Sequence, residues 1–220
     1  MALKLAVEEV GKDFLIPVID RVSFGVEAGE FVCLLGPNGC GKTTLLRIVG
    51  GLEPATRGRV TLDGEPIVAG QPHQHKVGVV FQEDRLLPWL TLEQNVALVL
   101  KPLGLGAAER AAIARALAIE PDVLLMDEPF GALDAQNRRI MQNEVRRIWR
   151  DTGRTILFVT HAIEEAVAVG TTLVMLSARP ARIRELIRND GRTDRVKLID
   201  DLNTMIMEEV ERQQGAAPPG

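Results

Sequence analysis

Gly36-Pro37-Asn38-Gly39-Cys40-Gly41-Lys42-Thr43-Thr44 fills every fixed position of the phosphate-binding pattern G-x-x-x-x-G-K-[ST]. Its flanks decide the fold. Phe31-Val32-Cys33-Leu34-Leu35, just before it, is a short apolar run expected to form a buried parallel strand. Leu45-Leu46-Arg47-Ile48-Val49, just after it, is expected to open a helix. Strand, glycine loop and helix form the context in which this pattern binds phosphate. The glycines let successive backbone N–H groups turn inward, and the helix N-terminus adds partial positive charge. Lys42 can then reach the β- and γ-phosphates, and the Thr43 hydroxyl can bind Mg²⁺. A nucleotide ligand is therefore expected.

Further along, several apolar strands end in polar side chains. Lys76 to Phe81 ends at Gln82, Val123 to Met126 ends at Asp127 and Glu128, and Thr155 to Thr160 ends at His161. Ligands of open α/β sheets sit beyond the carboxyl ends of the strands, so all four positions should gather beside the phosphate loop. Asp127 with Thr43 is expected to hold Mg²⁺. Glu128 is placed to take a proton from water attacking the γ-phosphate. Gln82 could sense Mg²⁺ or position that water, and His161 could contact the γ-phosphate.

The remaining chain supplies a frame. Residues 3–10 and 18–26 should be strands separated by a turn over Val10 to Phe14, and Asp63-Gly64 should close a hairpin. Helices are expected over Leu92 to Leu100 and Ala107 to Ile119, with Gly104 to Gly106 between them. Asp134 should cap a long helix reaching Thr152. A short helix over Ala162 to Val169 and two closing strands follow. The last helix, about Asp194 to Arg212, is expected to bury a stripe of Val196, Ile199, Leu202, Ile206 and Val210. Residues 214–220 should be a disordered tail.

Composition excludes some classes. The 220 residues are 46% apolar and 25% charged, with a net charge of −4 and a pI near 5.5. That balance points away from nucleic acid as a partner. No apolar run is long enough to cross a bilayer. The two cysteines, Cys33 and Cys40, suit a reducing compartment, and Cys40 in the loop suggests sensitivity to thiol reagents.

These stretches together resemble the ATP-binding cassette (ABC) ATPases, over about residues 3 to 188. The matching segments are Gly36 to Thr44 (Walker A), Gln82 (Q-loop), Val123 to Glu128 (Walker B), Gly131-Ala132-Leu133-Asp134 (D-loop) and His161 (switch histidine). The resemblance implies an α/β phosphate-loop NTPase. It would have a RecA-like, mostly parallel sheet, an antiparallel β subdomain and a truncated helical subdomain, the last about 86–118 within a domain spanning 1–213. It implies ATP and Mg²⁺ as cofactors, and Phe14 as the residue stacking on adenine. Asp84 to Trp89, Asp127 to Asp134 and Leu176 to Pro180 look like the nitrate, sulfonate and taurine importers. Transmembrane permease subunits, a second ABC ATPase subunit in a homo- or heterodimer, and indirectly a solute-binding protein would be the partners. The place would be the cytoplasmic face of the membrane.

One family element is absent. No L-S-G-G-Q signature occurs. Either Leu103-Gly104-Leu105-Gly106-Ala107 stands in its slot, or a block of a few tens of residues is missing before Ala111. The latter fits the short spacing between Gln82 and Asp127. Three readings follow: an active transport ATPase whose full chain has further residues here, a truncated ABC domain that binds ATP but hydrolyses poorly, or a phosphate-loop NTPase outside transport.

Overall fold

Two sheets carry the chain, and the helices flank the second of them. The computed structural model describes residues 3–71, 77–81, 121–131, 133–191 and 193–215. The expected helices over 92–100 and 107–119, the helical remnant at 86–118 and the signature slot lie outside these residues.

The first sheet is antiparallel, with β1 (Leu3–Asp13), β2 (Pro17–Glu27), β4 (Arg57–Leu62) and β5 (Glu65–Pro66) in the order β2-β1-β4-β5. Both β1 and β2 outrun their expected limits. Val10 to Asp13 is strand, because β1 pairs on both edges, with Lys12 opposite Ile19 and Gly11 opposite Arg57. The chain reverses at Phe14 to Ile16 instead. Asp63 and Gly64 form the expected hairpin, with φ of 50° and 82°.

The second sheet has the order β10-β9-β3-β8-β7-β6, built from β3 (Phe31–Leu35), β6 (Val77–Val80), β7 (Val123–Asp127), β8 (Thr155–Val159), β9 (Thr172–Leu176) and β10 (Ile183–Arg188). Only β10 runs antiparallel to its neighbour. Every residue of β3, β7, β8 and β9 is buried, as expected of parallel strands covered on both faces.

The period of two along these strands sorts side chains into two cores. Val32, Leu34, Leu125, Leu157 and Val174 face α1 (Lys42–Val49) and the antiparallel sheet. Cys33, Leu35, Met126, Phe158 and Met175 face the helices α2 (Ala135–Thr152), α3 (Ile163–Val169) and α4 (Arg195–Gly215). Asp134 caps α2 by accepting from Asn137 N at 2.8 Å.

α4 differs from its expected pattern. It continues to Gly215, into the expected tail; of the expected stripe Leu202 is buried and Ile199 and Ile206 pack against the core, but Val196 is 67% exposed, and Leu198 and Glu209 are buried as well. The reason is electrostatic as well as apolar: Glu209 is held inside by Arg184 at 3.0 Å, Arg212 at 2.8 Å and Ala178 N at 2.9 Å. A buried carboxylate with three donors can occupy a helix face that an apolar count assigns elsewhere. Among the described residues no helix is long and apolar enough to cross a membrane.

Candidate functional site

Strand order brings the site together. β8 lies between β3 and β7, so the loop after β3 meets the carboxylates after β7 across one strand, and His161 follows β8. Gly39 and Gly41 take φ of 73° and 124°, which lets the backbone curl from β3 into α1. Gly41 caps α1 without any side-chain hydrogen bond, so the first N–H groups of the helix are left to a ligand.

Lys42 spans this loop. Its ammonium donates to the carbonyls of Gly36 and Pro37, both at 2.9 Å, and its side chain is buried against the loop. An ammonium has three donors. Two hold the loop, and the third remains for an anion. Asn38 and Gly39 form the exposed lip, while Pro37 and Cys40 are buried. Cys40 belongs to the core facing α1, and burial pushes its thiol above the ordinary value. The expected sensitivity to thiol reagents is therefore corrected, because the thiol is turned inward and fully buried.

Thr43 Oγ1 donates to Asp127 Oδ1 at 2.9 Å. Burial raises the Asp127 carboxyl above its usual range; the Thr43 hydroxyl opposes that shift and the charge of Glu128 adds to it. A hydroxyl and a carboxylate in contact are two hard oxygen donors of the kind Mg²⁺ accepts, and Mg²⁺ commonly takes only one or two protein ligands beside phosphate.

Glu128 has a positive φ of 43°, a conformation rare for a side chain of this kind. Its N–H donates to Val159 O at 2.9 Å, which fixes the bend. The result turns its carboxylate toward His161, whose Nδ1 lies 2.9 Å from Glu128 Oε2. His161 is half exposed and Glu128 mostly covered. A carboxylate paired with an imidazole at an open edge can hold and pass a proton.

Phe14 lies at the tip of the β1–β2 hairpin, 58% exposed, with Lys12 Nζ 4.7 Å from its ring centroid. Lys12 is itself fixed by Glu53 at 2.6 Å and Pro54 O at 2.8 Å. Gln82 lies outside the described residues, directly after Phe81. Thr44, the third residue of α1, lies in its first turn.

Three side chains escaped the sequence reading. Glu165 is 5% exposed and accepts from the Thr160 hydroxyl and, at 3.1 Å, from Gln142 Nε2. Thr160 precedes His161, and an acid four residues after His161 in the first turn of α3 was the available signal.

Comparisons with known proteins identify the family. A sequence profile of the ABC transporter family matches residues 19–102. The aliphatic sulfonates import ATP-binding protein SsuB of Bacillus thuringiensis subsp. konkukian is 36% identical over 245 positions, covering 95% of this chain and 96% of that protein. The taurine import ATP-binding protein TauB of Burkholderia pseudomallei is 41% identical over 199 positions, covering 76% of this chain and 75% of that protein. The dimeric ATP-binding cassette MJ0796, in a post-hydrolysis state bound to ADP and Pi, superposes with a TM-score of 0.72 at 25% identity, covering 85% of this chain and 99% of its own. The alignment with SsuB has 245 positions, whereas 95% of 220 residues is about 209, so about 36 positions hold no residue of this chain.

Proposed function

Because this chain belongs to the ATP-binding proteins of ABC transporters, a family of ATPases, we propose that it powers import of a small anion such as a sulfonate, taurine or nitrate. The names of the relatives, which import sulfonates and taurine, support that solute class. Residues 1–213 would act as one ATPase domain on the cytoplasmic face of the membrane, joined to permease subunits and a second ATPase subunit, with a solute-binding protein delivering cargo.

The observation that carries this reading is the meeting of the phosphate loop with Asp127 and of Glu128 with His161 at one sheet edge. Residues Gly36 to Thr44 cradle the phosphates, Lys42 supplying its free donor. Thr43 and Asp127, with Gln82, would hold Mg²⁺, whose charge would offset that of the phosphates. Glu128 takes the proton of the attacking water, and His161 orients it. Phe14 stacks on adenine.

A second reading rests on the 36 absent positions and the missing L-S-G-G-Q. In this family the signature of one subunit contacts the γ-phosphate held by the other. A chain without it binds ATP but depends on a different partner for turnover, and a homodimer has no complete site. Calorimetric ATP binding and phosphate release, measured on the purified chain and on the complex with its permease, separate the two. Binding with turnover in both supports the transport ATPase. Binding with background turnover until a signature-bearing subunit is added supports the truncated domain. Absence of ATP binding removes both.

A further inference from the structure

The buried carboxylate of Glu165 has no part in the scheme above, yet it is joined to it. Its Oε2 accepts the Thr160 hydroxyl, and its Oε1 accepts Gln142 Nε2 at 3.1 Å. The same Thr160 oxygen accepts the N–H of Ala162 at 3.0 Å. Thr160 N also donates to Leu34 O at 3.3 Å, tying it to the strand that feeds the phosphate loop. Residues 160 and 162 are thus pinned on either side of His161, whose ring meets Glu128 at 2.9 Å.

A carboxylate this deeply covered is costly unless its oxygens are satisfied. Here one donor comes from the strand end and one from α2. Its two arms remove the freedom of a solvent-facing turn, the ordinary state of a histidine after a strand. A cavity of about 20 Å³, bordered by Glu128, Thr160, His161 and Glu165, lies against this turn and can admit at most a single water.

We propose that Glu165 and Thr160 are positioning residues: the carboxylate fixes the Thr160 hydroxyl, which fixes the backbone that presents His161 to Glu128. Gln142 anchors the carboxylate to α2, the helix capped by Asp134. The inference rests on the hydrolytic reading for its purpose, but its geometry does not.

The test reads the ring directly. The chain has three histidines, and the ¹⁵N resonances of His161 are identified by their loss in His161→Gln. Thr160→Val removes the hydroxyl at nearly constant volume and is expected to shift the His161 ring resonances in the direction produced by Glu128→Gln. Thr160→Ser restores the hydroxyl and is expected to return them to wild-type positions. Should Thr160→Val not fold, Gln142→Leu, at a partly exposed site on α2, removes one donor to Glu165 and is expected to give a smaller shift of the same sign. Unmoved His161 resonances in the folded variant overturn the proposal, as does failure of Thr160→Ser to restore them. In the hydrolysing complex, Thr160→Val is expected to lower kcat roughly tenfold to a hundredfold with KM for ATP within about twofold. The same change in a His161→Ala background is expected to add less than about twofold. Full additivity there overturns the proposal. An inactive complex with a shifted ring instead removes the hydrolytic reading and keeps the positioning one.

Discussion

Thr43 on α1 and Asp127 at the end of β7, 84 residues apart in sequence, share a hydrogen bond of 2.9 Å. It joins the phosphate loop to the acidic strand end across β8, and it explains how a buried carboxylate is tolerated there. The hydroxyl satisfies one oxygen; burial and the charge of Glu128 still raise the Asp127 carboxyl above its ordinary value. A group whose folded-state pKa is raised weakens the fold when charged. The penalty is absent below the unfolded-state value, grows through the window up to the folded-state value, and is fully present above it.

Asp127→Asn removes that penalty while keeping an oxygen to accept from Thr43. Without ligand at pH 7, its Tm is therefore expected to equal or exceed that of the wild type. The acid side of the stability profile, between the ordinary carboxylate value and the raised one, should flatten. The Tm increase on adding Mg-ATP should vanish, because the metal loses its charged partner. Thermal melts across pH, with and without Mg-ATP, check all three; a variant still stabilised by Mg-ATP as strongly as wild type contradicts the assignment.

Lys42→Ala is expected to lower ATP affinity by about ten- to a hundredfold, from loss of the charge-assisted bond of about 1.5–3 kcal/mol that its free donor makes. It also frees the carbonyls of Gly36 and Pro37, which now receive two of the lysine's three donors. Isothermal titration measures the first effect. A melt in the absence of nucleotide measures the second, expected as a modest loss of Tm.

Much of this site was legible because it follows from order along the chain. Apolar runs ending in Asp127 and His161 announce parallel strands whose ends meet, and the glycines announce the curl of the chain from β3 into α1. Tertiary choices were less visible. Glu165 is two turns of logic away from the phosphate, since its role exists only once α2 and α3 pack together and Gln142 comes within reach. In α4, the spacing of apolar residues favoured Val196, which is exposed, and did not show that Glu209 would be buried, held by Arg184 of β10, by Ala178 N and by Arg212 of α4 itself. The β1–β2 reversal moved to Phe14–Ile16 because a third strand, β4, extends the pairing, which is a non-local cause.

Glu128→Gln keeps the shape and an oxygen for His161 but cannot accept a proton at neutral pH. ATP affinity is expected to stay within about twofold, while hydrolysis by the complete complex falls by about 10²–10⁴. Single-turnover phosphate release measures the chemical step. Unchanged turnover removes Glu128 as the base.

The two cysteines should resist alkylation in the native protein. Both are buried and free, and burial pushes each thiol above its ordinary value, most strongly at Cys33. Since the thiolate is the reactive species, iodoacetamide at pH 7.5 should leave the mass unchanged until denaturant is added, when two adducts appear. Rapid native labelling at Cys40 contradicts the inward placement of its side chain.

Phe14 offers a test that separates base from phosphate. Its ring is exposed at a hairpin tip, so Phe14→Ala removes little buried surface and should leave Tm nearly unchanged. A base stacked on an aromatic ring is worth about 1–3 kcal/mol by alanine substitution, so ATP affinity is expected to fall about five- to a hundredfold. Inorganic tripolyphosphate has no base, and its affinity should stay the same in both proteins. Titration of each ligand into wild type and variant decides the matter. An equal loss for both would place Phe14 in the loop's support, through the Lys12 ammonium 4.7 Å from its ring, and not on adenine.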